Sequence, residues 1–316
     1  MVGRWGLALL KTLLEGKLEP SELALLYRSY DIIGDIAVIR VPEGLKSRSR
    51  LVAEAIMQVH KRVKTVLCQI SPVQDEFRLR GLEWIAGERK TETVYREYGC
   101  LFKIDLAKCY FSPRLSHERM RIARQVQPGE VVVNMFAGAG SYSILIAKHA
   151  PASKVYSIDL NPDAVSYMLE NIGLNGVQNR VVAIQGDAKD VISENLKGVA
   201  NRVLMPLPER AYEYLDYALL ALPQEGGWIH YYAFEHAKKP ENPIEKTETK
   251  VVEKLGRLKV NFDIPSHRIV RTTGPNWYQT VVDIRIRSKT WHHKSALKFS
   301  EDPLNPISGL SFVQND

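Results

Sequence analysis

The residues whose types and order suggest chemistry begin at Asn134-Met135-Phe136-Ala137-Gly138-Ala139-Gly140, between an apolar Val-Val-Val run and a helical pattern. Two glycines at such a bend let the backbone approach a ligand closely. Alone, a G-x-G is weak, and the third glycine of a dinucleotide fingerprint is missing. Three further features strengthen it. Asp159 ends the next strand-like run, VYSIDL, where a carboxylate can accept both hydroxyls of a ribose. Asp187 ends the third, AIQGDA, where it can meet an adenine edge. Met205-Pro206-Leu207-Pro208 ends the fourth. This combination fits S-adenosylmethionine better than NAD. The expected cofactor contacts are Phe136, Ala137, Gly138, Gly140, Asp159, Leu160, Asp187, Ala188 and Pro206. Either aspartate by itself would be equally well explained as a helix cap.

These residues need a scaffold that brings four strand ends together. From Gly129 onward, apolar strands alternate with periodic helices, the pattern of a doubly wound, mostly parallel α/β sheet of Rossmann-like type. Such sheets bind ligands at the carboxyl ends of their strands. Ahead of it lies a smaller α+β pattern. It comprises a strand over 31–42 closed by Pro42, a helix over 51–63 and a strand over 63–70. A hairpin over 82–99, turning at Gly87-Glu88-Arg89-Lys90, and the strand CLFKIDL complete it. A helix over 115–126 joins the two. The expected boundaries are 1–30 for an N-terminal helix and linker, 31–108 for the small domain, 109–289 for the sheet domain, and 290–316 for a loosely ordered tail.

Bulk properties narrow the partners. The formal net charge of +7 is compatible with a polyanion. No stretch approaches eighteen consecutive apolar residues, so no membrane span is expected. Lys11, Glu15 and Lys17 interrupt the N-terminal apolar run, which reads as an amphipathic helix ending before Pro20 rather than a signal peptide. Cys68, Cys100 and Cys109 lack metal-ligand spacing and suit a reduced, cytoplasmic, metal-free protein.

FSPRLSHER, NMFAGAGSYS, SIDLNPDAV, IHYYAF and PNWYQTVVDIRI, in this order, together with IAGE-x-x-TET-x-x-REYG, resemble the archaeal and eukaryotic tRNA (guanine-N1)-methyltransferases. The resemblance runs from about Tyr27 to Ser288. It implies methyl transfer from S-adenosylmethionine to guanosine 37, beside the anticodon, by a monomer that binds tRNA and not DNA. The sister group, the aminocarboxypropyl transferases of wybutosine synthesis, shares the architecture and cofactor and gives the first alternative. An inactive RNA-binding relative is the second. Three departures stand out. Asn134 occupies a strand-end position that is acidic in the family, and Pro206-Leu207-Pro208 replaces Asn-Leu-Pro. The extra N-terminal domain of many archaeal members is expected to be absent. Proline in place of asparagine resembles a subgroup of archaeal relatives, some of which also methylate wybutosine-pathway intermediates.

Guanine N1 carries a proton whose loss leaves negative charge on O6, so its methylation calls for a carboxylate base and a cationic donor. The resemblance makes Glu118 the base and Arg78 the O6 partner, with Arg80 two residues away on the same expected strand face. The backbone carbonyl of Pro206 still accepts hydrogen bonds, since proline loses only its N–H. Loss of the asparagine therefore argues against exocyclic-amine chemistry more than against N1. Tyr110 is expected to pack on the cofactor or the target base, and Arg119 beside Glu118 to touch the cofactor. The RNA footprint is expected to use Arg114, Arg119, Arg121 and Arg124 of one short helix, Arg96 of the hairpin, and Trp277 as a stacking platform. The bland reading of Glu118 is a solvated helix residue paired with Arg121 or Arg114.

Overall fold

The computed structural model describes residues 4–27, 29–74 and 77–289; the expected tail over 290–316 lies outside the described residues. The chain divides into two compact units. One takes in residues through His117 together with Ser166–Gly176, and the other Glu118–Val165 and the residues from Val177 onward.

In the first unit, α1 (Arg4–Leu14) ends well before Pro20, which instead opens the short helix α2 (Pro20–Leu25). The single strand expected over 31–42 is a tight hairpin of β1 (Asp31–Ile33) and β2 (Ile36–Ile39). Its turn contains Gly34 at φ +58°, where a Cβ would lie 2.1 Å from Thr93 Oγ1, so a glycine is required. The helix α3 (Ser49–Val59) leads to β3 (Thr65–Gln74), parallel to β2. Next, β4 (Leu79–Gly87) lies antiparallel to β3, which gives the order β1-β2-β3-β4. The hairpin expected around Gly87–Lys90 does not form: β4 pairs back to β3, and the segment after it finds another partner. Instead β5 (Glu92–Glu97) pairs with β6 (Cys100–Asp105) across Tyr98 and Gly99, at φ 46° and 76°. Two left-handed residues are what a two-residue hairpin turn demands. Leu10 and Leu14 of α1, Val52 and Ile56 of α3, and Ile39 and Val66 of the sheet form one buried cluster.

The helix α4 (Ser116–Gln125) precedes β7 (Val131–Asn134), α5 (Ser141–His149), β8 (Lys154–Asp159) and α6 (Pro162–Asn175). Then follow β9 (Val181–Gln185), α7 (Ala188–Asn195), β10 (Arg202–Met205), α8 (Ala211–Ala221) and β11 (Gly227–His236). The helix α9 (Pro243–Arg257) and the strands β12 (Val260–Gly274) and β13 (Trp277–Lys289) complete the second unit, from which α6 is excepted beyond Val165. Its sheet has the order β12-β13-β11-β10-β7-β8-β9. The five strands from β11 to β9 are parallel, while β13 runs antiparallel to both β11 and β12. Val133, Ile158, Val203, Leu215, Ile229 and Ile284 are among the buried side chains of its core. The chain leaves β7 outward through β8 and β9 and returns on the other side at β10. The crevice between the ends of β7 and β10 is thus the switch point where such sheets take ligands.

Candidate active site

The loop after β7 is pinned by backbone hydrogen bonds. Met135 N–H donates to the Leu204 carbonyl at 3.0 Å and Ala137 N–H to that of Ile158 at 2.8 Å. Gly138 and Gly140 are both left-handed, at φ 56° and 87°. Asn134 is fully buried; its amide donates to Ser143 Oγ at 3.1 Å, and its carbonyl oxygen accepts from Phe136 N–H at 3.4 Å. A neutral amide thereby ties the loop to α5 without placing a charge in the core. Gly138 N–H donates to Asp159 Oδ2 at 2.6 Å and Asn161 N–H to Oδ1 at 3.0 Å. Burial pushes the Asp159 carboxyl up, against those two amides, which favour the anion. Leu160, beside it, is exposed, and Ala188 is buried.

Asp187 does cap α7, accepting from Lys189 N–H at 2.9 Å. It also accepts from the Tyr214 hydroxyl at 2.9 and 3.0 Å. Tyr214 meets Phe136 edge-on at 5.2 Å between ring centroids, so the ends of β7 and β9 share one aromatic anchor. Burial, with Asp187 assisting, pushes the Tyr214 hydroxyl up to about 12. Nothing in the repeated tyrosines of AYEYLDY separates Tyr214 from Tyr212, which is exposed. Pro206, half-buried, follows β10 at the other side of the crevice.

Glu118 is 3% exposed, so the solvated reading fails. Arg121 grips it with two donors, Nε to Oε2 at 2.9 Å and Nη2 to Oε1 at 2.7 Å. The Tyr232 hydroxyl donates to Oε1 at 2.7 Å. Three of a carboxylate's roughly four acceptor positions are thereby filled. The Arg268 guanidinium lies 3.9 Å from Oε2. Arg121 also donates to Asp283, Nη1 to Oδ2 at 2.5 Å and Nη2 to Oδ1 at 3.1 Å. Asp283 and His230 face each other in the register of β13 and β11, with His230 Nδ1 2.6 Å from Oδ1. Arg202 Nη1 lies 2.7 Å from His230 Nε2, and Glu130 holds Arg202 in turn. The expected RNA roles of Arg119 and Arg121 are corrected. Arg119 is 2% exposed, and the guanidinium of Arg121 is committed to two buried carboxylates. On that helix Arg124 is exposed.

Within the first unit, Arg78 sits in the turn before β4 at φ 56°, not on the same strand face as Arg80. Its guanidinium lies 4.2 Å from the centre of the Tyr110 ring. Arg80 is 5.8 Å from that centre and donates to the Phe111 carbonyl at 3.0 Å, a tie that leaves it structural. Arg96 is exposed, and Arg114 is paired with Asp31 at 2.8 Å. In the second unit Trp277 is 47% exposed beside His236. Among the described residues no group of three or more His, Cys, Asp or Glu side chains could hold a metal ion. No helix among them is long and apolar enough to cross a membrane.

His230 and Tyr232 fall in IHYYAF and Asp283 in PNWYQTVVDIRI, stretches that carry the resemblance, but nothing in those stretches assigns them a role, and Arg202 lies in none of them. Their one signal is a polar residue inside an otherwise apolar strand, as in GGWIHYYAF and TVVDIRIR.

Residues 93–260 match the TRM5/TYW2 methyltransferase domain, and residues 10–91 the TYW2 N-terminal domain. The tRNA (guanine(37)-N(1))-methyltransferase Trm5b of Pyrococcus abyssi is 42% identical over 84% of this chain and 78% of its own. Its crystal structure aligns with a TM-score of 0.76 over 85% of this chain and 78% of the other. The tRNA 4-demethylwyosine(37)-methyltransferase Taw21 of Saccharolobus solfataricus is 37% identical over 82% of this chain and 94% of its own. The crystal structure of M. jannaschii TYW2 in complex with AdoMet is 31% identical, with a TM-score of 0.59 over 82% of this chain and all of that one. On a match of this extent and identity, the chain belongs to the TRM5/TYW2 methyltransferase family.

Proposed function

We propose that this chain, acting as a monomer, methylates N1 of guanosine 37 in tRNA with S-adenosylmethionine. The observation that carries the reading is Glu118: a buried carboxylate fixed by Arg121 and Tyr232, with two of the three hydrogen bonds on Oε1 and one on Oε2. The pinned loop of Gly138 and Gly140, the carboxylate of Asp159, and Asp187 with Tyr214 and Phe136 fit the cofactor's ribose and adenine. S-adenosylmethionine supplies a sulfonium-activated methyl group. Glu118 accepts the N1 proton on Oε2, leaving the N1 electron pair available for bond formation. The charge that remains on O6 calls for a cationic donor, the role proposed for Arg78. Much of the remaining catalysis is positioning of the nucleophile in line with the methyl carbon. Exposed Arg96, Arg124 and Trp277 are the proposed tRNA contacts.

The test is to incubate the protein with an unmodified tRNA transcript and methyl-labelled cofactor, then identify the product nucleoside by mass. 1-Methylguanosine at position 37 is expected; no label in RNA, or label elsewhere, contradicts the proposal.

A second reading, methylation of 4-demethylwyosine at the same position, is favoured by Pro206 and by the relative Taw21, nearly all of whose length is matched. An arm of the same assay with tRNA carrying that tricyclic base separates the two.

A further inference from the structure

We infer that Asp283 is a positioning residue for the proton transfer: anchored by His230, it keeps Arg121 in place as Glu118 passes from anion to acid. This rests on Glu118 being the base. One guanidinium, Arg121, bridges two carboxylates whose side chains are 3% and 2% exposed. Before the transfer, Glu118, Asp283 and Arg121 sum to one negative charge; after it they sum to zero. An isolated Glu118–Arg121 pair would do the reverse, starting neutral and ending as a buried cation without a partner. That end state is strongly disfavoured away from water, so such a glutamate would resist the proton. Arg268, 3.9 Å from Oε2, has a side chain 47% exposed and is screened by solvent, so among these three groups Asp283 makes the protonated state the balanced one.

The surroundings keep Asp283 ionised and still. Burial alone would raise its carboxyl, but His230 and Arg121 hold it well below the ordinary carboxylate range. Gln125 Nε2 donates to Oδ2 at 3.1 Å. Arg202 can only donate, so His230 Nε2 must accept from it and the imidazole proton sits on Nδ1, facing Asp283. Burial, with Arg202 and Arg121 nearby, holds His230 below its ordinary value and therefore neutral. Arg202 is itself fixed by Glu130 at 2.7 and 3.1 Å and by the Gln125 carbonyl at 2.9 Å. Among the described residues, other polar groups facing Glu118 include Tyr232 of β11, Tyr142 of α5 with its hydroxyl 3.5 Å from that of Tyr232, and Arg268 of β12. None of these offers Arg121 a second carboxylate.

A double-mutant cycle on the full-length protein tests this, read as the single-turnover methylation rate on unmodified tRNA. Asp283→Asn is expected to slow the step about tenfold with Glu118 present. The melting shift given by S-adenosylhomocysteine should stay intact. In the Glu118→Gln background the same change should cost less than about twofold, because Asp283 acts only through the base. Gln125→Leu removes one donor to Asp283 from a half-buried position, and should show the same pattern at about threefold. It carries the test if Asp283→Asn does not fold. An unchanged rate for the folded variant, or an equal loss in both backgrounds, overturns the inference. A near wild-type rate for Glu118→Gln alone would instead overturn the assignment of Glu118.

Discussion

Asp159 and Glu118 are both carboxylates largely withdrawn from water, and they are held in opposite ways. Asp159 is met by backbone amides, those of Gly138 and Asn161, whose positions follow from the loop and the sheet. Glu118 is met by side chains, Arg121 and Tyr232, and its cation is shared with Asp283 on another strand. Backbone donors cannot move or change charge, which suits the proposed acceptor of two ribose hydroxyls. Side-chain donors can be rebalanced, which suits a group proposed to change protonation state. On this proposal, binding is built from the backbone and proton transfer from a network of side chains.

The largest effect expected from this contrast is on stability. Arg121→Ala leaves Glu118 and Asp283 buried without their shared cation, and breaking such a pair typically costs about 3–5 kcal/mol. A denaturant midpoint should show it; a loss below about 1 kcal/mol would place the pair in solvent-screened surroundings instead. Next comes the cofactor side. S-adenosylhomocysteine at a hundredfold excess over its dissociation constant should add about 2.7 kcal/mol of stability. Asp159→Ala should remove most of that shift, and an unaltered shift would show that the ribose is held elsewhere.

The smallest effect is the pH response. Folded His230 is held below its ordinary value, so the unfolded chain takes up a proton near pH 6.5 that the native state refuses. Stability should therefore fall as pH drops below about 6.5. Asp283, also depressed, adds a further fall below about pH 4. Asp159, raised by burial, has the opposite sign: its contribution favours acid and is lost as pH rises through its folded value. Melting temperatures between pH 7 and 5 should thus decline in the wild type and flatten in His230→Leu; equal slopes would mean that His230 is protonated in the native state.

The same contrast decides what the sequence could show. The doubly wound sheet, its glycine loop and the acids at the ends of β8 and β9 are local features, each written into a strand end and the turn beside it. The buried network is not local. Glu118 and Asp283 lie on elements far apart in the chain and meet only through sheet order and the β11–β13 register. Arg121 looked like a phosphate contact because helix spacing alone cannot tell a solvated guanidinium from one between two carboxylates. In the first unit the hairpin expected at Gly87–Lys90 is absent for a related reason. Turn residues mark where a strand ends but not which strand it pairs with, and β4 pairs back to β3.

The role of Glu118 is tested most directly by the single-turnover rate of Glu118→Gln across pH. Glutamine keeps the shape and much of the hydrogen-bonding reach but cannot take the proton. The expected fall is about 10²–10⁴-fold, the usual contribution of a general base, with cofactor and tRNA affinities little changed. The variant should also depend more steeply on pH than the wild type, since N1 must then ionise without help. Near wild-type turnover, or a parallel pH profile, would place the base elsewhere.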